Sequence, residues 1–193
     1  MEKFILASAS PQRKTLLEGL GISFDIVPST IDETDCSEKE PAKRAMALAC
    51  MKAEDIAAIH SDAYVIGCDT LVVAADGTLL EKPVDAAEAR SMIELQRGSA
   101  SIVHSGLCVV APNGKRSDGL SSSSVIFKEL SDDEVAWWIG TEQWKGRSGS
   151  FQIDGLGQLL IERIEGDWTS IVGLPVFLLE QLFVELGSSM RLY

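Results

Sequence analysis

The first part of the chain alternates short apolar runs with segments of helical spacing. The run Phe4–Ala7 predicts a short buried strand. Ser10 followed by Pro11 predicts a helix start, because a serine side chain caps free backbone N–H groups and proline needs no hydrogen bond at the first helical position. The apolar spacing carries this helix past Leu17, and the segment 19–21, which contains two glycines, is expected to end it.

The rest of the chain continues this mixture of strands and helices. A turn at Pro112–Gly114 is expected to join two strands into a pair, and Ser131 with Glu134 has the spacing of a capping box at a helix start. Strands are also predicted at 24–27, 64–68, 71–73, 79–80, 102–110, 122–127 and 159–164, and helices at 41–59, 85–96 and 173–187. Interleaved strands and helices favour an α/β or α+β fold.

Composition fits one globular domain. The chain has 193 residues, 46% of them hydrophobic, which is enough for one substantial core. No linker or repeat divides it, so residues 1–193 are predicted to form a single domain, with room for two lobes. The formal net charge of −12 repels nucleic-acid backbones and anionic membranes, so neither is an expected partner.

The cysteines and the N-terminus indicate a cytoplasmic protein. None of the cysteines lies in a C-x-x-C pair, which favours buried free thiols in a reducing compartment. The apolar stretch Phe4–Ala9 is too short for the hydrophobic region of a signal peptide. No apolar run in the sequence reaches membrane-spanning length.

The turn between the first strand and the first helix is a candidate anion site. The hydroxyls of Ser8 and Ser10 and the free N–H groups of the helix start face the same end, and such helix starts bind anions. Arg13 lies in the first turn, where its charge opposes the helix dipole, and this placement suggests an anionic ligand. The alternative is an ordinary capped helix with a surface arginine.

Two carboxylates are candidates for metal or proton chemistry. Asp69 is expected directly after an apolar strand, where α/β proteins place catalytic groups. Glu33 lies in an acidic loop that is otherwise expected to be solvated. Two carboxylates from separate segments suit Mg²⁺ or Mn²⁺, which keeps waters and binds substrate phosphates. Lys52 and Lys82, each taken alone, are more simply explained as surface charges.

Several well-known catalytic motifs are missing from the sequence. It contains no G-x-x-x-x-G-K-[ST] phosphate loop and no H-E-x-x-H zinc motif. His60 and His104 are its only histidines, and neither lies near a clear nucleophile, which argues against a hydrolytic triad.

Eight segments in fixed order resemble the Maf (septum-formation) family along nearly the whole chain. These segments are Leu6–Leu17, Ile31–Glu33, Leu48–Ala53, Gly67–Thr70, Glu81–Pro83, Val103–Gly106, Arg147–Phe151 and Gly166–Pro175. Each segment is weak alone, but their shared order and spacing make the resemblance specific.

The resemblance implies a fold and a reaction. The fold is inosine-triphosphatase-like: an elongated mixed sheet flanked by helices, with two lobes and a central cleft. The reaction is the hydrolysis of a nucleoside triphosphate between its α- and β-phosphates, giving a monophosphate and pyrophosphate. The family needs a divalent metal, Mg²⁺ or Mn²⁺, and is often a homodimer. It removes non-standard or excess nucleotides.

The resemblance also implies roles for individual residues. Asp69 aligns with the proposed proton acceptor, and Glu33 with a carboxylate associated with metal or water, so both are candidate catalytic and metal-binding residues. The phosphate-binding set is carried over to Ser8, Arg13, Lys52 and Lys82.

Three positions set base preference in this family, and they point in different directions here. Gln12 stands where pyrimidine-specific members usually have Arg and methylguanine-specific members often have Trp. Thr70 matches the pyrimidine class. Asp154 is acidic, as in the other class, and would accept hydrogen bonds from base N–H groups. The preferred base therefore stays open.

Further departures concern affinity. Arg147 replaces a family lysine and keeps its charge, Ala47 replaces an arginine, and His104 is not the histidine of the family motif.

An alternative function is a regulatory protein that influences septum formation and cell division through partner binding. The retained Arg13, Lys52, Asp69 and Lys82 favour catalysis, because a binding role would not require a carboxylate at position 69.

Overall fold

A computed structural model describes residues 2–190 of the chain. Its strands are β1 (Phe4–Leu6), β2 (Asp25–Ile26), β3 (Tyr64–Val73), β4 (Leu79–Leu80), β5 (Ala100–Val110), β6 (Arg116–Phe127) and β7 (Ile161–Glu165). Its helices are α1 (Pro11–Gly19), α2 (Pro41–Ala57), α3 (Ala86–Gln96), α4 (Asp132–Gly140), α5 (Trp168–Val172) and α6 (Val176–Glu185). Short 3-10 turns occupy Glu33–Asp35, Ser148–Ser150 and Gly155–Leu160.

The strands among these residues form one mixed sheet. Their hydrogen-bonded order is β2-β1-β3-β5-β6-β7, and β4 pairs with β3. Strand β1 runs parallel to both β2 and β3, whereas the β3–β4 and β6–β7 pairs are antiparallel. A mixed sheet with interleaved helices confirms the predicted α/β class.

The chain folds into two compact units, each with its own core. The first unit contains the described residues up to Asp69, Ser105–Ser121, and those from Gly173 onward. The second contains Thr70–His104 and Ser122–Val172.

In the first unit the sheet is buried on both faces. Phe4 and Leu6 pack with the α1 and α6 side chains, including Leu17 and Phe183. Ile5 and Ala7, which alternate with them, pack with Ala49, Ala53 and Ile56 of α2. This alternation places α2 on one face and α1 and α6 on the other, the layering expected for parallel strands.

Aromatic side chains fill the core of the second unit. Trp138 of α4 is fully buried, and its indole N–H donates to the carbonyl of Ser150 at 2.8 Å. The rings of Phe127 and Phe151 meet edge to face at 5.1 Å. A buried indole that finds a hydrogen-bond partner is the usual way to bury tryptophan, and here it joins α4 to the Ser148–Ser150 turn.

The predicted helix starts are confirmed. Ser10 accepts a hydrogen bond from the backbone N–H of Arg13 at the start of α1, with Pro11 in the first turn. Ser131 and Glu134 form a reciprocal capping box at the start of α4. These signals are local in sequence, so they do not depend on the rest of the fold.

Two strand predictions are wrong. The expected break at Asp69–Thr70 does not occur, because β3 continues unbroken to Val73. Asp69 therefore lies inside a strand rather than after one, and its carboxylate is buried beside the ammonium of Lys52. The strand predicted to begin at Leu159 begins at Ile161, because the preceding residues wind into a 3-10 turn that starts at Gly155, whose φ is +56°.

No helix in the described part of the chain is long and apolar enough to cross a membrane.

Candidate functional site

In the first unit, the carboxyl end of β1 lies beside Ile66 of β3, three residues before Asp69. The backbone N–H of Ala7 donates to the carbonyl of Ile66 at 2.8 Å, continuing the parallel pairing of the two strands. From β1 the chain passes through α1 to β2 on one side, then through α2 to β3 on the other. Parallel sheets bind ligands outside the carboxyl ends of strands at such a reversal.

The turn after β1 is held together by its own side chains. Arg13 donates from Nη1 to the Ser8 hydroxyl at 2.9 Å and from Nε to the carbonyl of Gly173 at 2.9 Å. The Ser8 hydroxyl also accepts from the backbone N–H of Ser10 at 3.2 Å. Arg13 is therefore folded back onto the strand end instead of extending into solvent, which removes the simple surface-arginine interpretation. Its cation and the α1 start favour an anion at the same place.

Gln12 is also tied to this turn. Its side-chain oxygen accepts a hydrogen bond from the Ser10 hydroxyl at 3.1 Å. The side chain is half-buried, so the residue predicted to face a base is oriented by the same serine that caps α1.

A lysine lies between the two predicted carboxylates. Lys52 Nζ is 2.5 Å from Asp69 Oδ1 and 2.7 Å from Glu33 Oε1. The Lys52 and Asp69 side chains are only 14% and 10% exposed, whereas Glu33 is 53% exposed. The structure therefore brings together three of the predicted site residues in one cluster with a net charge of −1. It places Lys52 in that cluster rather than on the surface.

Close packing of α2 on the sheet brings Lys52 to Asp69. A Cβ atom on Gly67 would lie 2.7 Å from the backbone nitrogen of Ala53 and even closer to the carbonyl oxygen of Ala49. Both alanines are fully buried. Glycine on the strand and alanine on the helix thus allow the two backbones to approach, so a lysine on α2 reaches a carboxylate on β3.

The carboxylates of Glu33 and Asp69 are the candidate ligands for a divalent metal in this cluster. Among the described residues no group of three or more His, Cys, Asp or Glu side chains could hold an ion. Glu33 and Asp69 supply two carboxylates, which already converge on one cation. Magnesium commonly takes one or two protein carboxylates and completes its shell with water and substrate phosphates. Two carboxylates fit that kind of site.

The other predicted residues belong to the second unit. Thr70 follows Asp69 in β3 and is half-buried, while Lys82 after β4 and Asp154 before the Gly155–Leu160 turn are exposed. Their grouping with the residues of the first unit stays a prediction.

Within the second unit, two segments of the family resemblance adjoin. The backbone N–H of Gly149 donates to the carbonyl of Glu81 at 3.1 Å, beside Lys82. The carbonyl of Gly149 accepts from the buried side chain of Gln96 at 2.7 Å. Gly149 has a φ of +70°, a conformation that glycine adopts without strain.

Residues 3–186 match the sequence model of the family described as Maf-like protein. The chain belongs to this family. Membership confirms the resemblance drawn from the eight segments, and the match covers every predicted site residue.

Curated relatives match over nearly their full length. A protein from Deinococcus radiodurans named dTTP/UTP pyrophosphatase is 42% identical over 187 residues, covering 97% of this chain and 94% of that protein. A protein of the same name from Pyrococcus furiosus is 38% identical over 193 residues, covering 99% and 98%. Among solved structures, a nucleoside-triphosphatase / dITP/XTP pyrophosphatase from Mycobacterium abscessus matches with a TM-score of 0.43 at 14% identity, over 66% of this chain and 75% of that one.

Three residues that contact the predicted site or the segments of the family resemblance are missing from the residues predicted from sequence. Gly173 acts through its main-chain carbonyl, which leaves no signal in side-chain chemistry. Gln96 is a buried amide on α3 that holds the Gly149 turn. Arg44 holds the loop that carries Glu33. A buried glutamine and an arginine beside an acidic loop are visible in a sequence, but their partners are not.

Proposed function

We propose that the protein is a nucleoside triphosphate pyrophosphatase that hydrolyses the α–β phosphoanhydride, giving a nucleoside monophosphate and pyrophosphate. The observation that carries this proposal is Lys52 of α2, held between the carboxylates of Asp69 in β3 and Glu33 in the acidic loop. Family membership and the names of the curated relatives support the same reaction.

The turn after β1 is the proposed phosphate-binding element. Arg13, the Ser8 hydroxyl and the free N–H groups at the start of α1 offer positive charge and donors to a polyanion. We propose that Lys52, and Lys82 of the second unit, add further positive charge for the phosphates. These groups would stabilise charge that develops on the departing pyrophosphate.

Asp69 is the proposed proton acceptor. The oxygen of a water molecule forms a new bond to the α-phosphorus, and the bond between that phosphorus and the oxygen that bridges it to the β-phosphorus breaks. A proton of the water passes to the Asp69 carboxylate. The bridging oxygen leaves as part of the pyrophosphate product. Lys52 keeps the carboxylate of Asp69 fixed at 2.5 Å, which orients it before the substrate arrives.

Glu33 and Asp69 are the residues that would hold a divalent ion, Mg²⁺ or Mn²⁺. When bound, the ion would neutralise phosphate charge and orient the substrate.

Pyrimidine nucleotides are the proposed substrates. The relatives named above are dTTP/UTP pyrophosphatases, and Thr70 matches that class. Gln12, Thr70 and Asp154 are proposed to contact the base. Exchanging Asp154→Gln is expected to strengthen any preference for uracil or thymine, and an unchanged preference would remove Asp154 from the base site.

We also propose a cytoplasmic homodimer as the working form.

The proposal is tested by measuring pyrophosphate release from canonical and modified nucleotides with Mg²⁺ or Mn²⁺. Asp69→Asn is expected to lower kcat by roughly 10²- to 10⁴-fold, the usual contribution of a positioned acid or base. Asp62→Asn is the matched control, because Asp62 is exposed and pairs with Lys3 at 3.7 Å. If no nucleotide yields pyrophosphate, the enzymatic proposal fails and the regulatory alternative gains. If Asp69→Asn behaves like Asp62→Asn, Asp69 is not the proton acceptor.

A further inference from the structure

Arg44 of α2 binds main-chain carbonyls in an acidic loop. Its Nη1 donates to the carbonyls of Cys36 at 3.0 Å and Glu38 at 3.3 Å, and its Nη2 donates to the carbonyl of Glu33 at 3.1 Å. Although the segment is rich in Asp and Glu, Arg44 forms no ion pair with any carboxylate within residues 2–190. The guanidinium therefore holds the course of the backbone rather than neutralising a side chain.

Glu33 is consequently held at two points by one helix. Arg44 binds its carbonyl and Lys52 binds its carboxylate. The two cations are eight residues apart on α2, which corresponds to about 12 Å along a helix axis. Because both contacts come from one rigid element, the direction of the Glu33 side chain is set by the helix that also carries Lys52.

The Glu33–Lys52 pair needs this support. Glu33 is 53% exposed, and ion pairs of exposed side chains are weak because water competes for both groups. Before the turn, Asp55 of α2 accepts hydrogen bonds from the Ser29 hydroxyl at 2.7 Å and from the backbone N–H of Thr30 at 3.1 Å, which holds the entry to the loop. Inside the turn, the Asp32 carboxylate accepts from the backbone N–H and the hydroxyl of Thr34, and these two bonds do not reach α2. Cys36 is buried, which gives the loop one further fixed point.

We propose that Arg44 is a positioning residue for the proposed reaction: it fixes the segment 33–38 so that the Glu33 carboxylate stays beside Lys52 and Asp69. The kinetic consequence rests on the proposed function, whereas the fixing of the loop does not. Arginine is required because its planar fork presents donors in several directions, and the single ammonium group of a lysine cannot span the same three carbonyls.

Loss of Arg44 should act through Glu33. In Arg44→Gln the loop is released, while Lys52 and Asp69 remain paired in their buried positions. We expect kcat to fall roughly ten- to hundredfold, the cost of misplacing a group by about 1 Å, with little change in KM for the nucleotide. Arg44→Lys should recover only a small part of this loss.

A double-mutant cycle with Glu33→Gln tests the assignment. If Arg44 works by placing Glu33, then Arg44→Gln should cost nothing further in the Glu33→Gln background. Lys43→Gln is the matched control, since Lys43 lies next to Arg44 on α2 and forms an ion pair with the exposed Glu40 at 2.6 Å. Thermal melts of all variants should show that each one is folded. Equal kcat in Arg44→Gln and Lys43→Gln, or additive losses with Glu33→Gln, would overturn the proposal.

Amide hydrogen exchange measures whether Arg44 fixes the loop, independently of any catalytic activity. In the substrate-free protein, the backbone N–H groups of Asp35 and Cys36 are bonded within the turn. Their exchange should accelerate in Arg44→Gln and not in Lys43→Gln. Unchanged exchange would overturn the positioning role even in an active enzyme. Faster exchange in a protein that releases no pyrophosphate would support the fixed loop and reject the reaction.

Discussion

At the scale of single residues, Lys52 decides the character of the site. A nearly buried ammonium between two carboxylates neutralises Asp69, which would otherwise be an unpaired charge in the core of the first unit. The same ammonium is proposed to bind the phosphates of the substrate. Lys52 therefore has both a structural and a functional task, and these can be separated by experiment.

Removing Lys52 should cost both stability and activity. In Lys52→Met, the buried Asp69 loses its partner, and breaking a buried pair typically costs about 3 kcal/mol. The double variant Lys52→Met, Asp69→Asn removes both charges and should regain most of the free energy of unfolding, while remaining inactive. Urea denaturation with assays of pyrophosphate release measures both properties. A double variant as unstable as Lys52→Met would contradict this account of the pair.

At the scale of elements, the contact between α2 and β3 depends on Gly67. A methyl group at this position meets the backbone of Ala49 and Ala53, and backbone atoms cannot rotate away as a side chain can. A Cβ atom added to Gly106 of β5 would likewise collide with the backbone of Ala45 and Met46. The helix therefore has little freedom to shift without moving Lys52.

Gly67→Ala should displace α2 from the sheet. We expect the free energy of unfolding to fall by about 1–3 kcal/mol, as in other overpacked cores, and kcat to fall with it. Gly19→Ala is the control, because a Cβ atom there would meet no other described atom within 4 Å. Chemical denaturation of both variants compares the two positions. If Gly67→Ala loses no more free energy of unfolding than Gly19→Ala, then α2 can shift to accommodate the added methyl group and the argument is wrong.

The start of α4 gives the fold a pH dependence. The ammonium of Lys128, which bonds to Glu134 at 2.6 Å, and the N–H of Ser131 lower the Glu134 pKa from 4.5 to about 2. Because the folded pKa is depressed, the stabilisation is present above the unfolded pKa and is lost as pH falls from about 4.5 to about 2.

Glu134→Gln should therefore melt at a lower temperature than the parent at pH 7, with the difference shrinking between about pH 4.5 and 2. Thermal melts of both proteins between pH 7 and pH 2 measure this difference in melting temperature. Asp133→Asn, on the same exposed turn, is the control. A difference in melting temperature that is constant with pH would contradict the assigned cause.

The elements show which features a sequence can predict. The start of α1 is predictable because Ser10 and Pro11 act within one turn. The Lys52–Asp69 pair joins residues 17 apart, and the Arg13–Gly173 bond joins residues 160 apart. Neither pairing follows from local patterns. Asp69 resembles a strand end in sequence, because only its distant lysine makes a carboxylate tolerable inside a strand.

At the scale of the whole molecule, charge sets the range of partners. The net charge of −12 contrasts with the positive charge of Arg13 at the end of β1. An acidic surface repels other polyanions at long range, and the repulsion is screened by salt. A small anion that reaches the turn meets local positive charge, whereas a long polyanion also meets the acidic surface.

Nucleic-acid duplexes should not bind at physiological salt. Non-specific DNA binding usually falls between roughly 10⁻⁴ and 10⁻⁶ M and depends on basic patches. We expect a dissociation constant weaker than roughly 10⁻⁴ M for a short duplex. Fluorescence anisotropy of a labelled duplex measures it, with a nucleoside triphosphate as the positive control. Salt-sensitive micromolar binding would contradict the charge argument.

The carbonyl of Gly173 links the proposed phosphate-binding turn to a buried thiol that can serve as an infrared reporter. It accepts from Arg13 Nε at 2.9 Å and from the Cys68 thiol at 3.0 Å, so two donors share one oxygen. A ligand that draws the guanidinium of Arg13 away would leave the thiol as the remaining donor of this pair, so the hydrogen bond from the thiol to the carbonyl would strengthen. A stronger hydrogen bond of this kind lowers the S–H stretching frequency. That vibration lies in a spectral window clear of amide bands. The buried thiol of Cys68 would thus report occupancy of the turn without any added label.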